Sequence, residues 1–186
     1  MALSTLDPGA ALVVVDLQLA TVAGPTVRPT ADVVRRSAAL AAAFRAGGRP
    51  VVLAAARLDA PPPGRTQVGG GRPPVPAAAL ALVPELDPQP GDLRAEHHGW
   101  SAFGGTTLAD DLRARGVAQV VLVGLATSFG VESTARAAYD AGFHVVAVVD
   151  AMTDFSDEAH AHTTGRVLPV LGETATTDEV LAALAG

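Results

Sequence analysis

Short, Val-rich apolar runs alternate along this chain with longer segments whose apolar residues recur at every third or fourth position. A run that is apolar throughout and bounded by polar or Gly residues marks a strand buried on both faces. A period near 3.6 marks a helix that buries one face. The pattern predicts strands at Ala11 to Val15, Pro50 to Ala55, Val120 to Val123 and His144 to Val149, with a short one near Val167 to Leu171. Their alternation with helical segments predicts an α/β fold, a mostly parallel sheet covered by helices on both faces.

The helix between the first two strands starts at a Thr30 cap, carries Val33, Ser37, Leu40, Ala41 and Phe44 on one face, and stops at Gly47. A second follows Thr107, with Asp110 in a capping-box-like position and Gly116 at its end. After Gly130, a third puts Val131, Thr134, Ala135 and Ala138 on a small apolar face, while Glu132 and Arg136 pair one turn apart on the other. Ser156 and Thr176, the latter backed by Glu179, read as N-caps of two more, with Pro169 as the break between them. Asp59 to Pro76 is dense in Pro and Gly with almost nothing to bury, so it is a surface loop, either an ordered cover or a disordered segment.

With 186 residues and 49% hydrophobic content, the chain has apolar material for one well-buried core, and a single domain over 1–186 is expected. The formal charge is -6 and the 13 basic residues, all Arg, are scattered. That argues against nucleic acid or an anionic membrane as partner, since either requires a basic patch. Cysteine is absent, which excludes disulfides, thiolate metal sites and a Cys nucleophile. The first apolar run stops at Asp16, too short for a secretory or membrane-spanning segment, so a cytoplasmic location is expected.

Asp16 ends the first strand, so its carboxylate emerges at the carboxyl edge of the sheet, where open α/β folds bind ligands. Two readings stand for it: a site residue, or a cap on a neighbouring turn. His97 and His98 sit on or just past a short strand. Their rings point to opposite sides, which leaves one inward candidate and disfavours joint metal ligation. Trp100 and Phe103 read as apolar wall or, more readily, core. His160 and His162 stand two apart on a helix and diverge, so with Asp157 and Glu158 they read as an exposed helix start rather than a metal site. No phosphate-cradling Gly loop and no nucleophile-elbow motif is present.

Three segments carry a resemblance: VDLQ after the first strand, WSAFGGTTLADDLRARGVAQVVLVG, and ATSFGVESTARAAYDAGFHVVAVVDAM. Together with the LGETATTDEVLAAL tail, they make the chain resemble the isochorismatase-like hydrolase family, also called the cysteine hydrolase superfamily, nearly end to end. The resemblance implies a Rossmann-like three-layer α/β/α fold, a homodimer or larger homo-oligomer, a small-molecule substrate, and a site at the carboxyl edge of the sheet. Most members use an Asp, Lys, Cys triad, and its positions fall on Asp16, His97 and Gly130. Without the Cys, the thioester route of the family's amidases has no nucleophile here. Isochorismatases proper also lack the Cys and act on a vinyl ether through an Asp general acid, and TDFS at 153 to 156 resembles the ADFS found in them. The resemblance further assigns Leu125, Ala126, Ser128, Phe129 and Trp100 to substrate binding, with Leu125 and Ala126 at a strained, often cis, peptide. The metal site of nicotinamidase-type members has no His to build it after the second strand, so no metal and no other cofactor is expected. Two functions follow from these residues: hydrolysis by acid–base chemistry without a Cys, or a non-catalytic binding or assembly protein on the same fold.

Overall fold

The computed structural model describes residues 3–59, 65, 67 and 75–186. Its strands are β1 (Ala11–Val15), β2 (Val51–Ala56), β3 (Leu93–His97), β4 (Gln119–Leu125), β5 (His144–Thr153) and β6 (Glu173–Ala175). The α-helices are α1 (Leu19–Val22), α2 (Thr30–Ala46), α3 (Leu108–Ala114), α4 (Glu132–Asp140), α5 (Asp157–His162), α6 (Leu168–Leu171) and α7 (Thr177–Ala185). All six strands run parallel in the order β3-β2-β1-β4-β5-β6.

β1 is buried along its whole length, and its alternating side chains divide the core in two. Leu12 and Val14 face Val33, Leu40 and Phe44 of α2 and Val180 of α7. Ala11, Val13 and Val15 face Leu112 of α3, Ala135 of α4 and Leu168 of α6. A strand with apolar residues on both sides needs a helical layer on each, and the three-layer fold expected from the sequence is the one found.

Val167 to Leu171 is not a strand. A π-helical turn, Thr163–Val167, runs directly into α6, and the edge strand is Glu173–Ala175. Periodicity cannot separate a strand from a buried helical turn over so few residues. Pro169 lies in the first turn of α6, within a helical run that continues from the π-helical turn, so it does not separate two helices as a break. Thr30 and Thr107 do not cap through their side chains: the Thr30 hydroxyl donates to the Val22 carbonyl (3.2 Å) and that of Thr107 to Asp111 (2.7 Å). Ser156 does cap, and Thr176 closes a capping box with Glu179. Of the Pro/Gly loop, most residues lie outside those described, and so does the choice between cover and disorder. Among the described residues no helix is long and apolar enough to cross a membrane.

Candidate active site

The strand order reverses between β1 and β4, which opens a crevice at their carboxyl ends. Val15 pairs there with Gly124. Gly124 has φ +123°, and a Cβ on it would stand 2.0 Å from the Val15 carbonyl oxygen, so only glycine lets the strands close at this point. β4 then ends in a cis Leu125–Ala126 peptide and enters a π-helical turn, Thr127–Val131, that leads into α4.

Asp16 follows β1 with φ 52°, and its largely buried carboxylate meets His97, the last residue of β3: His97 Nε2 lies 2.9 Å from Asp16 Oδ1. β2 runs between them. At its carboxyl end the residues facing this layer are methyl-sized, Ala54 paired with Val15 and Ala56 with His97, so the imidazole reaches over β2 to the carboxylate. Gln18 fixes the turn after β1, donating to the Ala56 and Leu80 carbonyls (3.1 and 2.8 Å) and accepting the Ala56 N–H (3.0 Å).

The hydrogen bonds determine where the protons are. His97 Nδ1 lies 2.9 Å from the Gly99 carbonyl oxygen, which can only accept, so Nδ1 carries a proton. A neutral ring then turns a lone pair at Nε2 toward a protonated Asp16, and a charged ring turns an N–H toward a carboxylate. Either way, one proton lies between Nε2 and Oδ1. Burial pushes the Asp16 carboxyl above its ordinary range, against the lowering effect of its bond to His97 and of that ring's charge. Burial also works against charge on His97. There the Asp16 hydrogen bond and charge, with the Gly99 carbonyl, outweigh it and raise the imidazole.

Gly130 is buried in the turn before α4. A Cβ built on it would lie 2.8 Å from the Leu125 carbonyl oxygen, 3.1 Å from Asp16 Oδ2 and 3.1 Å from Val15 Cγ1. His97 and the space where a Cβ would stand on Gly130 therefore both adjoin the Asp16 carboxylate. Leu125 is buried, so its carbonyl rather than its side chain meets this point. The Ser128 amide is engaged within the protein: it donates to Oδ2 of Asp154 at 2.5 Å, while Phe155 N–H donates to Oδ1 at 2.7 Å. Asp154 is fully buried, and its carboxylate takes the Ser128 amide at the start of the turn before α4. Its signal was an acid just past the last predicted long strand, within the TDFS at 153 to 156.

Two side chains differ from expectation. His160 is not on an exposed helix start: it is 5% exposed, and its Nδ1 lies 2.9 Å from the Thr127 hydroxyl, joining α5 to the turn above the site. Burial, followed by the charge of Arg28, lowers its pKa. Trp100 is not core but 54% exposed, its ring 5.0 Å from that of Phe129, which in turn lies 6.4 Å from Phe155. The three rings form an exposed aromatic rim beside Gly99 and Gly130. Among the described residues, no three His, Asp or Glu side chains are grouped to hold a metal ion.

The Isochorismatase domain family matches residues 10–179 of this chain. The isochorismatase family protein YecD of Escherichia coli O157:H7 is 38% identical over 187 residues, covering 94% of this chain and 95% of YecD. YwoC of Bacillus subtilis, of the same family, is 44% identical over 112 residues; that match spans 60% of this chain and 59% of YwoC. The structure of an isochorismatase family protein from Burkholderia thailandensis superposes with a TM-score of 0.93 at 40% identity, covering 98% of each chain. Family match, near full-length relatives and shared architecture agree, and the chain belongs to the isochorismatase family, as a member that contains no cysteine.

Proposed function

We propose that this protein hydrolyses a small metabolite by acid–base chemistry, with water rather than a side chain as the nucleophile. The observation that carries this reading is the one-proton pair of Asp16 and His97 at the carboxyl end of the sheet. In the arrangement with that proton on His97 Nε2, Asp16 is a carboxylate and its Oδ2 is a base facing the Gly130 turn. It takes a proton from water as the water oxygen bonds to the substrate's electrophilic carbon. It then returns that proton to the leaving group as the old bond breaks, so the pair ends as it began. His97 acts through Asp16, since both its ring nitrogens are engaged inside the protein.

A panel of vinyl ethers including isochorismate, amides and N-carbamoyl compounds tests this with wild type and Asp16→Asn. One class turns over without a covalent adduct in the mass spectrum, and Asp16→Asn lowers kcat/KM by about 10²-fold or more. The kcat/KM profile is bell-shaped: the acid limb lies above the ordinary carboxyl value of 3.8 and the basic limb above the ordinary imidazole value of 6.5, because both groups are raised. A vinyl ether cleaved by prior protonation of its carbon requires a second proton on Asp16 Oδ2, and its rate instead stays level toward acid. Turnover that survives in Asp16→Asn overturns the proposal.

A non-catalytic binding protein is the second reading, favoured by glycine at the nucleophile position. It predicts that a panel compound binds and is recovered intact. On either reading the family resemblance supports a homo-oligomer, which a light-scattering mass of two or more chains checks.

A further inference from the structure

We propose that Gly130 is a positioning residue for Asp16: the missing side chain is what lets the carboxylate seat against the turn before α4 while it holds His97. Gly130 has no positive φ that would call for glycine on conformational grounds. What it lacks is room. Any other residue would set its Cβ 3.1 Å from Asp16 Oδ2 and 3.1 Å from Val15 Cγ1, with the Leu125 carbonyl oxygen 2.8 Å away on the backbone side. The carbonyl belongs to the end of a central strand and the valine to its packed neighbour, both held by the sheet. Of the three, Asp16 Oδ2 is the one at the far end of a side chain that can rotate, whereas the others are a backbone oxygen and a packed valine methyl. The Asp16 carboxylate is also held at Oδ1 by His97, so a shift away from residue 130 lengthens the Nε2–Oδ1 bond.

A side chain at 130 therefore crowds the present Asp16–His97 geometry, and Asp16 Oδ2 must give by a few tenths of an ångström to admit it. A cysteine placed at 130 presses on the acid–base pair before it can serve as a nucleophile. The proposal deepens the acid–base reading and rests on the same pair, but its test reads His97 rather than turnover, so the two fail separately.

The experiment is Gly130→Ala in protein labelled with nitrogen-15 at histidine, with the His97 ring signals followed through a pH titration. In the wild type His97 titrates above the ordinary 6.5. In Gly130→Ala its midpoint falls toward or below that value, because burial persists after the partner has moved. An unchanged His97 titration in a folded Gly130→Ala protein overturns the proposal. Thermal unfolding of Gly130→Ala, Asp16→Ser and the double variant gives the second reading. If the Cβ competes with the carboxylate, Gly130→Ala lowers Tm less in the Asp16→Ser background than in the wild type. Additive losses, or failure of Gly130→Ala to fold in both backgrounds, assign the constraint to the Leu125 carbonyl alone and overturn it. Gly130→Cys is expected to form no acyl-enzyme from the amide substrates; one that does so with the His97 titration intact overturns the proposal.

Discussion

Among the five histidines, His97 and His160 are buried, and their surroundings push them in opposite senses. His160 is lowered by burial and by Arg28, with Asp154 and Asp157 opposing. The unfolded chain therefore binds more protons than the folded one below the ordinary value of 6.5. The stability this contributes is present above 6.5 and lost as pH falls through the lowered folded value. His97 is raised, and its contribution runs the other way, present below 6.5 and lost as pH rises through its folded value. Comparing wild type with His160→Gln cancels the His97 part. The difference in unfolding free energy between the two shrinks as pH falls below 6.5, and at neutral pH the variant loses about 1 kcal/mol for the bond to Thr127. Denaturant titrations at several pH values measure both. At this scale Asp16 was legible because a lone acid at the end of an apolar run has few places to go. His160 was not, because a helical spacing gives direction around an axis but says nothing of what packs against it.

The turn before α4 depends on a carboxylate supplied by a different strand. Asp154 receives the Ser128 and Phe155 amides, so a helix end that lacks a side-chain cap of its own is satisfied from β5's extension. Asp154→Ala leaves both donors without this acceptor and costs about 2 kcal/mol in chemical denaturation, the range for hydrogen bonds to a charged group. Within α2, Ser37 is fully buried and its Oγ has no partner among the described residues. Ser37→Ala removes that unsatisfied group and raises the unfolding free energy by about 1 kcal/mol. The apolar face carrying Ser37 was legible in its spacing, as were the Thr176–Glu179 box and the Gly47 stop, since each is decided within one turn of chain. The Val167 to Leu171 run was not. Whether five mostly apolar residues extend or coil depends on the layer they meet, and here α6 packs beside α4 while the neighbouring Glu173–Ala175 takes the sheet edge.

Across the whole molecule, both apolar layers rest on the same central strands, with Leu122 and Val121 of β4 facing opposite sides. Trp100, the single tryptophan, reports on the rim of the site, while far-ultraviolet circular dichroism reports on every helix. We expect the two signals to unfold together, and Leu122→Ala to shift both equally by about 2–5 kcal/mol. Separated transitions would show that the site edge unfolds apart from the sheet. The sequence by itself determined the layers, the parallel sheet and the acid at the mouth of β1, because hydrophobic periodicity and strand ends are local properties of the chain. Only the tertiary structure decided what that acid does. His97 reaches Asp16 from 81 residues away across the alanines of β2, and the room for the carboxylate depends on a side chain that Gly130 lacks. A shared proton is fixed by distances of a few tenths of an ångström between strands, and no pattern along the chain encodes those.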